Sequence, residues 1–151
     1  MARHSLIAAA GLALVIVLGT AASGGGKVDP VKVQAKAGKA AAGDKQLVVV
    51  TLDIDKGWHV YANPVANEDL ASAETTVQIK AAGKALAAKV KYPEGTSHTE
   101  KGIGTFKIYE HQVNIEAEFP RSDNAVEVSV KFQACDATRC LPPKTVTVSV
   151  K

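Results

Sequence analysis

Two cysteines are the only thiols in this 151-residue chain, and they lie close together. Cys135 and Cys140 fall in the segment 132–144, FQACDATRCLPPK, with four residues between them and two prolines almost at once after. Three kinds of chemistry suit such a pair. As a structural bridge it would lock a turn, although closing so short a loop stabilises by only roughly 2 kcal/mol, against about 4.7 for a hundred-residue loop. As a redox-active dithiol it could open and close with little rearrangement. Asp136 and Arg139 between the sulfurs would pull a thiol pKa in opposite directions, so the sequence assigns no reactivity. The spacing is also not the C-x-x-C oxidoreductase signature. As a metal site the thiolates would need help from His59, His98 or His111. No second C-x-x-C or H-x-x-x-H element accompanies them, and an oxidising compartment favours the disulfide, so no metal is expected.

The elements that must position the pair read as strands. Residues 126–132 (VEVSVKF) and 145–150 (TVTVSV) alternate apolar and polar on either side of the cysteines, the signature of half-buried β-structure. Residues 46–54, 58–61, 75–81, 106–109 and 113–119 read the same way, and 85–92 reads as one further strand. Lys56-Gly57 and Asn63-Pro64 mark turns. Residues 66–73 read as a polar loop with room for one helical turn, and 93–104 (PEGTSHTEKGIG) as a long loop of the kind that is functional or disordered. Seven or so short strands without a convincing helix predict an all-β, antiparallel sandwich of the immunoglobulin type.

The ends of the chain bound where it works. Residues 1–22 carry Arg3, an apolar core over 6–18 and small residues after it, the pattern of a secretory signal peptide. The mature protein is therefore expected outside the cytoplasm, secreted or periplasmic, where disulfides persist. Residues 23–43 are rich in Gly, Ala and Lys and read as a flexible tether, leaving 44–151 as the folded domain. Net charge is +3 and aromatic content 5%. No basic stripe with interleaved aromatics exists, so no nucleic-acid partner is expected.

The segments GWHVYANP, YPEG, IYEHQV and FQACDATRCLPPK together resemble a known family, over about residues 44–150. It is the periplasmic N-terminal (alpha) domain of the thiol:disulfide interchange protein DsbD. The cysteine segment followed by Leu-Pro-Pro is the most specific piece. The resemblance implies an immunoglobulin-like sandwich with the cysteine pair at one end. It implies electrons received from a membrane-embedded reductase and passed by thiol–disulfide exchange to thioredoxin-like periplasmic proteins. By the same resemblance Cys140 is the attacking thiol and Cys135 the resolving one. No small-molecule cofactor is implied, because the cysteines are themselves the redox group.

Two departures from the family qualify these expectations. The family shields its thiols with a loop tipped by an aromatic residue, whereas the matching stretch here, SHTEKGIG, has Gly102 and Ile103 at that place. Ile103 or Phe106 is expected to take over the cover, and Tyr61 and Tyr109 match aromatic positions that line the site in the family. No reductase domain follows Lys151, so the electron donor is expected to be a separate protein. The competing expectation is a non-catalytic immunoglobulin-like binding module whose disulfide only braces a turn. Accessibility of a sulfur separates the two.

Overall fold

The computed structural model describes residues 28–39 and 43–151; the signal-peptide expectation lies outside them. Twelve strands among these residues form three four-stranded sheets, and every strand pairing is antiparallel. The first sheet has the order β1 (Val31–Ala37), β2 (Lys45–Ile54), β9 (Gln112–Pro120), β6 (Lys89–Lys91). The second runs β12 (Lys144–Val150), β10 (Val126–Phe132), β4 (Thr76–Ala81), β5 (Lys84–Leu86).

These two sheets bury one face each against the other, as the period-two sequences require. Val48, Val50, Leu52 and Ile54 of β2 and Ile115, Ala117 and Phe119 of β9 meet Val77 and Ile79 of β4 and Val126, Val128, Val130 and Phe132 of β10. Each such aliphatic side chain, once buried, contributes about 1.5–3 kcal/mol. The core is therefore built from Val, Ile and Leu, with few aromatics.

The third sheet positions the cysteines. Its order is β11 (Ala134–Cys135), β3 (His59–Tyr61), β8 (Gly104–Tyr109), β7 (Thr96–Glu100). Alternation divides its side chains between two environments. Ala134, Val60 and Tyr109 face the main core, while Cys135, Tyr61, Ile108 and Phe106 form a second apolar cluster with Val65 and Ala73. A 3-10 helix, Glu68–Ala73, with Asn67 as its cap, lies over that second cluster. It is tied down by the Asn67 side-chain amide, which donates to the carbonyls of Ile103 and Thr105.

Three expectations are corrected. Residues 31–37, assigned to the tether, form β1, paired with β2 over seven positions from Val31↔Ile54 to Ala37↔Val48. Its V-K-V-Q-A-K-A alternation buries Val31 and packs Val33 and Ala35 on the core. The single strand expected over 85–92 is two, because Ala87 and Ala88 carry the chain from the second sheet to the first. The loop expected over 93–104 contains β7, whose five residues are all exposed. Having no buried face, β7 shows no apolar periodicity to read.

Candidate functional site

Cys135 and Cys140 are bonded to each other as a disulfide. They close a hairpin that leaves the third sheet at β11. Across its neck the Leu141 amide donates to the Ala134 carbonyl at 2.8 Å, and the Asp136 amide donates to the Arg139 carbonyl at 2.9 Å. The Asp136 side chain organises the tip: Oδ1 accepts from the Thr138 amide and hydroxyl, both at 2.8 Å, and from the Arg139 amide at 2.9 Å. Those bonds, led by the Thr138 hydroxyl, hold the Asp136 carboxyl below its usual pKa. Arg139 stacks 5.9 Å from the Trp58 ring centroid, which fixes the turn laterally.

The two sulfurs sit in unlike surroundings. Cys135 is 2% exposed, packed in the second apolar cluster, whereas Cys140 is exposed. The Tyr61 hydroxyl lies 3.7 Å from Cys135 Sγ and 3.8 Å from Cys140 Sγ. Neither sulfur of a disulfide carries a proton, so the hydroxyl is the donor. Burial, with a smaller contribution from Glu100, raises the Tyr61 pKa, so the phenol stays protonated at neutral pH.

The structure sorts the remaining candidates. Phe106 is 1% exposed, its ring centroid 5.6 Å from that of Tyr61, and forms the floor beneath Cys135. Ile103 is 39% exposed in the turn between β7 and β8, and belongs to neither apolar cluster. Tyr109 is not among the residues around the sulfurs. It alternates with Ile108, points into the main core, and its hydroxyl donates to the carbonyl of Asn63 or Pro93 and accepts from the Asn63 amide.

Two of the histidines weighed as metal ligands, and more readily as surface or strand residues, pack against each other on the third sheet. His59 is the cross-strand partner of Cys135, and the His98 ring centroid is 5.8 Å from that of His59 and 5.2 Å from Phe106. Period-two spacing of His59 and Tyr61 could have flagged the first. His98 needed the β7–β8 pairing. His111 is exposed in the turn between β8 and β9. Among the described residues no group of three or more His, Cys, Asp or Glu is placed to hold a metal ion.

A family model described as thiol:disulfide interchange protein DsbD, N-terminal, matches residues 27–151. The chain belongs to the DsbD N-terminal family. The matched span takes in β1 as well as the disulfide hairpin, and the sandwich is the immunoglobulin-like fold of that family. Among solved structures, the N-terminal periplasmic domain of ScsB from Proteus mirabilis superposes with a TM-score of 0.61 at 17% identity. That alignment covers 81% of this chain and 46% of the ScsB chain, and it shows a shared fold. The reduced DsbD N-terminal domain of Neisseria meningitidis aligns at 18% identity with a TM-score of 0.47, over 72% of this chain and 78% of that one. A complex between the DsbD N-terminal and PilB N-terminal domains of the same organism aligns at 17% and 0.48, over 68% and 73%. No curated protein sequence matches the chain. Membership in the DsbD N-terminal family, with the one cysteine pair joined as a disulfide, connects this chain with thiol–disulfide interchange.

Proposed function

We propose that the chain is a periplasmic exchange domain that relays reducing equivalents through Cys135 and Cys140 to thioredoxin-like partners. Its electrons come from a membrane-embedded donor. The observation that carries this reading is the asymmetry of the disulfide: Cys140 is an exposed residue, and Cys135 is sheltered in an apolar cluster. In the reduced state the Cys140 thiolate attacks a partner's disulfide and releases one partner thiolate. The Cys135 thiol then loses its proton and attacks Cys140 Sγ. That re-forms the intramolecular disulfide and releases the second partner thiolate. Two electrons pass from the domain to the partner, and no cofactor takes part.

A bracing role accounts for less. The short loop makes the bond a weak staple, and a staple has no use for an exposed sulfur. The leader-like residues 1–22 and the periplasmic origin of the ScsB domain support the location. Trapping tests the relay. Reduced Cys135→Ser, mixed with an oxidised thioredoxin-like protein and quenched in acid, is expected to yield a mixed disulfide at Cys140 by mass spectrometry. Cys140→Ser is expected to yield none. If neither variant forms an adduct and the wild-type disulfide survives the partner's reduced form, the chain is a braced binding module instead.

A further inference from the structure

Resting on the exchange reading above, we propose that His59 accepts the proton of the Cys135 thiol when the mixed disulfide on Cys140 is resolved, and that His98 sets the pH at which it does so. Cys135 is the sheltered member of the pair, so its thiol ionises reluctantly in an apolar cluster and needs a nearby acceptor. His59 lies directly opposite it in the β11–β3 pairing. Opposed residues of antiparallel strands project to the same face with Cβ atoms about 4.5–5.5 Å apart. Tyr61, two residues on, marks that face, since its hydroxyl reaches both sulfurs.

The groups facing the imidazole come from every neighbouring element. They are His98 and Glu100 of β7, Glu110 after β8, Asp136 after β11, and Tyr61 on its own strand. Burial, followed by the charge of His98, lowers the His59 pKa, while Glu110, Glu100 and Asp136 oppose this more weakly. His59 is thus a neutral base at pH 7, the form a proton acceptor requires. The step balances: the Cys135 proton passes to the imidazole, the new thiolate displaces the partner thiolate from Cys140 Sγ, and the imidazolium returns its proton to water.

The test uses the reduced full-length chain and an aromatic disulfide, dithiobis-nitrobenzoate, which releases one coloured thiolate on attack by Cys140 and a second on resolution by Cys135. The second phase is expected to rise with pH through the His59 titration. In His59→Gln it should be about a hundredfold slower at pH 7 and should follow thiol ionisation alone. The first phase should be unchanged, which also verifies the fold. In His98→Gln, whose side chain is exposed, loss of the like charge should move the midpoint to higher pH with the plateau rate retained. An unchanged second-phase profile in His59→Gln, or an unmoved midpoint in His98→Gln, overturns the inference and leaves the exchange reading intact. Absence of both phases in the wild-type chain overturns the exchange reading itself, and the inference with it.

Discussion

Two groups bear most directly on this disulfide, the exposed residue Cys140 and the hydroxyl of Tyr61 that reaches both sulfurs. A phenol kept protonated by burial donates to whichever sulfur carries negative charge, so it favours the thiolate. Tyr61→Phe keeps the ring against Phe106 and removes only the donor. In the reduced chain it should raise the apparent pKa of Cys140 and slow its alkylation at pH 7 roughly fivefold, the equivalent of about 1 kcal/mol. The rate of iodoacetamide labelling against pH measures this. Asp136 gives a second prediction at this scale. Its folded pKa is lowered, first by the Thr138 hydroxyl, so the unfolded chain binds more protons as pH falls toward and through the ordinary aspartate range. The turn's contribution is present above the unfolded pKa and is lost as pH falls through the folded one. Asp136→Asn should therefore flatten the acid limb of Tm against pH between about pH 5 and 2. A parallel shift of the whole curve would show that the carboxylate is not involved.

At the scale of elements, the site depends on segments that bring no sulfur to it. Gly95 lies where β7 begins: a Cβ there would meet Ala62 Cβ at 2.6 Å, Lys107 Cβ at 3.0 Å and the Ile108 carbonyl at 3.2 Å. All three are fixed to the backbone, so Gly95→Ala should destabilise the domain by about 1–3 kcal/mol and loosen β8, as urea unfolding would register. Val31 is 2% exposed on β1. Val31→Ala should cost about 2 kcal/mol, and the β1 amides should be protected from hydrogen exchange; a tether would show neither. Of residues 31–37 only the V-K-V start reads as strand-like, and the Gly- and Ala-rich residues around it outweigh so short a triplet. The strands 46–54, 113–119, 126–132 and 145–150 were legible because each has one wet and one buried face. β7 was not, since a fully exposed edge strand is specified by its partner β8 rather than by its own residues. Tyr109, expected to line the site, packs in the main core. Its facing follows from its alternation with Ile108 once the sheet is known, and chemical type alone points the other way.

Across the whole molecule, the two-sheet core serves as a rigid mount and the third sheet as the working part, one face on the core and the other holding Cys135. The cysteine pair is legible from its spacing and the family resemblance, and of the four residues expected around it Tyr61 and Phe106 share the apolar cluster of Cys135. The roles of its flanking histidines were not, because β3, β7 and β11 are brought together from three distant stretches of chain. Cys135–Cys140 is proposed to be an exchange-active pair rather than a brace. Equilibrating the chain with defined thiol buffers gives its reduction potential. Structural disulfides of secreted proteins lie below about −300 mV, and exposed, labile ones lie higher. The exposed Cys140 predicts a value well above that limit, with rapid exchange against a thioredoxin-like protein. A value below it, with no measurable exchange, would contradict the account and leave a braced sandwich that acts by binding.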